Sequence, residues 1–271
     1  MDDLTNLISN IREVHRRRQQ VVRARRRRET EIIGLCRRIL NRPPTKEDKR
    51  RTFRKWVQCT QESAPSVAVT WMLDTYLDQH AVFAVEQKQL DRQLEGLAAQ
   101  DPLAEFQTVP MLGLLSIGQI RGEIGDFTCY ANPAKVWARA GVGIKNGMIQ
   151  RRAKDKALAE LFGFNPERRA IFYTISENVG VKSGRCTPKP YYRSVYEGRR
   201  EHTAETHADW SKGHAFADAK RYTVKRLLRD MWQSEYRRSH GAVGDGNHRL
   251  YDIQARPVPP NCAPVLLEER G

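Results

Sequence analysis

Cysteine is scarce and scattered in this chain of 271 residues. The five cysteines (Cys36, Cys59, Cys129, Cys186 and Cys262) are odd in number and none forms a CxxC pair. That pattern supports neither a disulfide framework nor a zinc ribbon, and reduced thiols are expected. Long apolar runs are missing as well. No stretch of about 18 uncharged apolar residues occurs, which excludes a spanning helix. Met1-Asp2-Asp3 opens the chain on acid with no apolar core behind it, so no secretory signal is expected and the predicted compartment is the cytoplasm. Neither a Walker-type phosphate loop, a GxGxxG nor an HExxH is present, so nucleotide hydrolysis, dinucleotide binding and zincin chemistry are unsupported, and no cofactor is expected. Apolar residues make up 39% of the chain, below the roughly 45–50% of globular domains. The expectation is a surface-rich helical protein.

What is abundant is positive charge. Forty-seven Lys and Arg face 32 Asp and Glu, a formal net charge of +15. Residues 12–55 hold 18 of those cations against five acids, and the rest of the chain is nearly neutral. Basicity concentrated in one arm points to a polyanionic partner, or else to a solvated basic stretch.

That arm has a helical period. Leu4, Leu7, Ile11, Val14, Arg18, Val21, Arg25, Arg28, Ile32, Leu35 and Ile39 recur at 3–4 spacing, and the apolar majority predicts a long helix with a coiled-coil seam. Arg18, Arg25 and Arg28 interrupt the seam, where repulsion would weaken pairing unless an anion lies alongside. Pro43-Pro44 ends the helix, and Thr45 caps a second one reaching about Gln58. A third is predicted from Ser66 to about Ala99, striped by Leu73, Tyr76, His80, Phe83, Gln87, Leu90, Leu94 and Leu97. In that stripe His80 reads as a satisfied interface histidine. These helices either fold back on one another or pair with a second subunit.

From Gln107 to Gly143 glycine punctuates short apolar segments, which reads as short helices joined by tight turns. Further helices are expected over 166–178 and 214–238, and residues 241–271, with four prolines, read as a disordered tail. Within Val109-Pro110-Met111-Leu112-Gly113-Leu114-Leu115-Ser116-Ile117-Gly118, a turn at Gly113 with positive φ is expected, leading into a helix that ends on Gly125. A glycine turn at a helix N-terminus exposes backbone N–H groups that favour phosphate; it is equally a common way to close a core.

Several blocks then line up. Val109-Pro110, Gly113, Glu123-Ile124-Gly125-Asp126, Phe127, Pro133, Ala140-Gly141-Val142, Gln150-Arg151-Arg152, Ala219-Lys220-Arg221 and Lys225-Arg226-Leu227-Leu228 occur in that order. On these residues the stretch from about Leu90 to Leu228 resembles the C-terminal domain of transposases of the bacterial insertion-sequence family numbered 110/116/902, which also includes a pilin-gene invertase. The resemblance implies a mostly α fold, with a basic coiled-coil region over 1–100 and a helix–hairpin–helix-like DNA-binding domain over 101–240. It departs from the family in three respects. Met111 stands where the family usually has a glycine. The family's four metal-binding acids in a ribonuclease-H-like domain have no counterpart before the coiled coil. The loop Gly143-Ile144-Lys145-Asn146-Gly147-Met148 lacks the family's serine nucleophile, and Ser116, Ser176 and Ser183 do not match its position.

The expected function is DNA binding of the transposase type, in transposition or site-specific recombination at the bacterial nucleoid, without complete catalytic machinery. The partners expected are DNA, a structured RNA and a second copy through the heptads, with no membrane. The alternative is a non-catalytic RNA-binding or nucleoprotein assembly factor. The nucleic-acid contacts expected are Arg16, Arg17, Arg18, Arg25, Arg26 and Arg27 on the arm, and Gly113, Leu114 and Gly118 at the hairpin. Arg151, Arg152, Lys220, Arg221, Lys225 and Arg226 complete the set. His202, His207 and His214 lack metal-ligand spacing. Tyr191, Tyr192 and Tyr196, interleaved with Arg193, Arg199 and Arg200, suit either base stacking or a helical core.

Overall fold

The computed structural model describes residues 2–41, 57, 60, 66–145 and 147–240. The helix expected over 45–58 falls almost wholly, and the tail expected over 241–271 entirely, outside the described residues. The protein is mostly α-helical; among the described residues the only sheet is a ladder of two two-residue strands. The chain divides into two compact units, one of residues 13–94 and one that joins residues 1–12 to residues from 95 onward.

The unit of 13–94 is built from α1 (Asp2–Leu40) and α2 (Val67–Ala98), which belong to it over 13–40 and 67–94. The two run antiparallel. Arg17 bonds Glu86 at 2.7 Å, Arg25 meets His80 at 3.2 Å and Gln87 at 3.1 Å, and Arg28 lies over the Tyr76 ring. At the far end Ile32, Leu35, Cys36 and Leu73 close a small core with Val57. Each such side chain, fully buried, contributes roughly 1.5–3 kcal/mol. The seam arginines explain how a stripe with charges in it still pairs. Arg18 is ion-paired to Asp91, so α2 itself supplies the anion that the seam arginines require.

In the other unit, local signals set each helix. Gly113 caps α3 (Leu114–Ile124), which ends at Gly125. Asn132 accepts a bond from Lys135 N and Pro133 sits at the first position of α4 (Pro133–Ala140), which Gly141 stops in the left-handed conformation. Strands β1 (Ile144–Lys145) and β2 (Met148–Ile149) pair antiparallel. Asp155 caps α5 (Lys156–Phe162), and Asn165 with Pro166 starts α6 (Pro166–Ser176). Then come α7 (Tyr191–Thr206) and α8 (Lys212–His240). Ahead of Gly113 the chain forms a 3-10 turn, Pro102–Thr108.

Helix α8 is the centre of this unit. Val224, Leu227, Leu228, Met231 and Trp232 share one core with Leu103, Phe106, Ile117, Ile120, Phe127, Val136 and Phe172. Beside that core a charged cluster is sealed from water. Arg121, fully buried, bonds both oxygens of Asp101 at 2.7 Å, both oxygens of Glu235 at 2.8 and 2.5 Å, and the carbonyl of Gly125 at 3.0 Å. Burial alone would lower the Arg121 pKa, but the hydrogen bonds to Glu235 and Asp101 outweigh it and hold it above the usual arginine range. The two carboxylates also accept from Leu103 N and Phe127 N. The cluster thereby ties the 3-10 turn, α3 and α8 together.

Candidate nucleic-acid interface

The arm arginines divide by their surroundings. Arg16 and Arg26 are exposed and make no ion pair among the described residues. Arg27 is 83% exposed and reaches only Glu31, one turn along the same helix, a pairing that leaves it open to solvent. Arg17 is exposed but paired to Glu86. Arg18 and Arg25, by contrast, face α2 and are engaged there, which corrects their expected role as free phosphate contacts. His80 sits in that contact as a satisfied interface residue; burial and then Arg25 lower its pKa.

The hairpin differs from expectation in its backbone. Gly113 has φ −79°, an ordinary extended conformation, and a Cβ there would meet nothing within 4 Å. The left-handed residue is Met111, with φ 67°. The turn still needs one glycine-like residue, but two positions earlier than expected and filled by methionine. Gly118 is buried inside α3, and the Leu114 side chain, partly buried, packs against the core.

A third region brings distant residues together. Helix α6 supplies Arg169, and α8 supplies Arg221 and Lys225. Arg169 donates to the carbonyl of Gln150 at 2.6 Å and stacks over Phe164, which sets it beside the exposed Arg151 and Arg152. Burial lowers the Arg169 pKa, and the charge of Arg221 lowers it further. Lys225 lies over the Trp137 ring, 5.2 Å from its centre, while the Trp137 indole N–H bonds the Lys225 carbonyl at 2.9 Å. Burial, reinforced by Arg221 and Arg199, brings Lys225 down to about 8. Among the described residues the carboxylate bearing on Arg221 and Lys225 is Asp218, bonded to Arg199 at 2.6 Å and to Arg221 at 3.1 Å. Burial would raise the Asp218 pKa, but those two arginines hold it below its usual value. Arg199, Arg221 and Lys225 thus bear on one acid, and the charge of Arg221 also bears on Arg169.

Arg226 lies over Tyr222, and its Nε is buried without a hydrogen-bond partner. Lys220 does not join the surface. It is buried, paired with Glu177 at 2.9 Å and packed on the rings of Tyr173 and Phe216, which corrects its assignment as a nucleic-acid contact. Sequence reasoning missed Arg169 and Trp137, because they lie 52 and 84 residues before Arg221 and only folding brings their helices to α8.

The remaining candidates resolve into structure. Tyr192 and Tyr196 are buried, with the Tyr192 hydroxyl donating to Asp230 at 2.9 Å, so this group serves the helical core. His207 stacks on Trp210 and His214 meets the same ring edge-on; among the described residues no three His, Cys, Asp or Glu side chains gather as metal ligands. The hydroxyls of Ser176 and Ser183 bond helix carbonyls. Among the described residues no helix is long and apolar enough to cross a membrane. No protein-family model, curated protein or solved structure matches the chain.

Proposed function

We propose that this protein binds DNA as a transposase-type protein, acting at the nucleoid in DNA transposition or site-specific recombination without complete catalytic machinery of its own. The observation that carries the reading is the cationic group on α6, α7 and α8, where Arg199, Arg221 and Lys225 bear on Asp218, Arg169 feels the charge of Arg221, and two more cations, Arg151 and Arg152, stand exposed next to the Gln150 carbonyl that holds Arg169. Cations packed this closely disfavour one another until a polyanion neutralises them. On the arm Arg16, Arg26 and Arg27 add exposed charge. For the second copy expected of such a protein, the surface left on the helical pair is the outer side of α2, where Val67, Trp71, Val82 and Val85 are exposed.

The test is a titration of a fluorescent DNA duplex at several salt concentrations. Neutralising about six phosphates gives a slope of log K on log salt of roughly −5. Replacing Arg151 and Arg152 by Gln should flatten the slope by roughly 2, and replacing Arg16, Arg26 and Arg27 should flatten it independently. A duplex that does not bind, or a slope indifferent to both sets, defeats the reading. The aromatic rings among the cations, Trp137 and Tyr222, favour a second reading as an RNA-binding assembly factor, since unpaired bases stack on such rings. Single-stranded RNA binding more tightly than duplex DNA would select it.

A further inference from the structure

We infer that the outer face of α2 pairs with the same face of a second copy of this chain, the two helices antiparallel about a two-fold axis at the level of Phe83. The inference rests on the second-copy reading above and fixes which residues meet and in which direction; it does not depend on DNA binding.

Helix α2 spends one side on α1. Leu73 is buried there, and Arg17, Arg18 and Arg25 of α1 hold Glu86, Asp91 and Gln87. The opposite side is bare. Val67, Trp71, Val82 and Val85 are each more than half exposed, and a turn of 3.6 residues places them in one strip of the helix surface. Single exposed apolar residues need no explanation, but a strip of them marks an interaction surface. Along the same strip Asp74, Asp78, Ala81, Val85, Lys88 and Arg92 alternate four- and three-residue steps, the spacing of a seam on which a second helix lies. All six are exposed. Asp78, Lys88 and Arg92 form no ion pair among the described residues.

The charges on the seam select the occupant and its direction. Asp74 and Asp78 disfavour a polyanion, and four charged residues among the six disfavour a lipid surface. A parallel second copy sets each residue against itself, so both acids and both cations meet their like. An antiparallel copy does the reverse. In a two-fold pair, residue i meets j and j meets i, with j as far beyond the axis as i lies before it. With the axis at 83, Asp78 meets Lys88 at five residues either side, Asp74 meets Arg92 at nine, and Ala81 meets Val85 at two. Each layer is then complementary and occurs twice. Sliding the pair by one heptad either way puts the acids or the cations against Ala81 and Val85. Exposed ion pairs add little affinity, so the charges set the register while the apolar centre of Ala81, Val82 and Val85 holds the pair together.

Sedimentation equilibrium of the full chain, freed of nucleic acid, tests this with Asp78→Lys, Lys88→Glu and the two combined. Both side chains are exposed, and circular dichroism checks the fold of each variant. The expected result is a dimer at micromolar concentration, weakened at least about tenfold by either reversal, because each reversal puts two like-charge layers into the pair. The combined variant should return to within about threefold of the unsubstituted chain, the signature of a direct contact in a double-mutant cycle. A monomer at every concentration overturns the pairing. So does a dimer indifferent to the single reversals, which is the behaviour of a parallel pair that already holds like charges. Losses that the combination does not restore overturn the register. None of these outcomes touches the DNA-binding reading, which the salt dependence of duplex binding decides separately.

Discussion

Replacing Arg121 by methionine removes one guanidinium that serves two buried carboxylates, and the structure gives the scale of the loss. Four of its bonds run to Asp101 and Glu235 at 2.5–2.8 Å, all within side chains at most 3% exposed. Hydrogen bonds to charged groups are worth about 1.5–3 kcal/mol each, but desolvation of all three ions offsets most of the sum. What remains is the cost of leaving a partner uncompensated, about 3–5 kcal/mol, and two stranded carboxylates put Arg121→Met at the upper end. Domains of this size lose about 2–4 °C per kcal/mol, so the melting midpoint should fall by roughly 10–20 °C. Thermal denaturation of the full chain, followed by circular dichroism, reads it. A second variant separates charge from packing. Arg121→Met combined with Asp101→Leu and Glu235→Leu strands no charge and should recover most of the loss, less about 1 kcal/mol for each backbone N–H deprived of its acceptor at Leu103 and Phe127. A fall of under about 3 °C in the single variant would refute the reasoning, since a broken buried ion cluster cannot cost so little. So would a triple variant as unstable as the single one.

At the hairpin, Met111→Gly should stabilise the protein by about 1 kcal/mol in urea denaturation, because a side chain at φ 67° is strained, whereas Gly113→Ala should change stability by less than about 1 kcal/mol. Gly125→Ala should cost about 1–3 kcal/mol in the same assay, since φ 81°, ψ −141° is glycine backbone. Lys225 is charged up to about pH 8 in the fold but to the ordinary lysine value of 10.5 when unfolded. The unfolded chain therefore holds more protons between those values, and the fold gains stability as pH rises through them. Lys225→Met should raise the melting midpoint at pH 7, and the advantage should shrink toward pH 10. A midpoint lowered at pH 7 would show that the lysine stabilises the fold.

Much of the helical architecture was legible because periodicity is local. The stripe from Leu4 to Ile39 and that from Leu73 to Leu97 fall within α1 and α2. Periodicity says which face is apolar but not what covers it. Asp91 answers Arg18 from 73 residues away, and no spacing rule links them. Gly113 misled for a related reason. Glycine marks permissive backbone, yet the strained φ was carried by Met111, where the side chain is exposed and so costs nothing in packing. Arg121 drew no notice in the sequence, because its burial depends on two acids, 20 and 114 residues distant. The cationic face was half visible. Arg151, Arg152, Arg221 and Lys225 stood out as clusters, but Lys220 beside them turned inward to Glu177, and only the packing of α6 on α8 recruited Arg169.

The central place of α8 has a consequence for how the protein is made. Almost every element of its unit leans on a helix that a ribosome finishes last among them, and the Arg121 cluster is closed by Glu235, near that helix's end. Until residues beyond about 230 have been synthesised, Leu103, Ile117, Phe127 and Phe172 have no α8 to cover them, and Arg121 has one carboxylate instead of two. Folding of this unit therefore waits for α8. A nascent chain stalled before α8 presents apolar surface to its neighbours, which makes translation speed through residues 212–240 and chaperone supply the determinants of its yield.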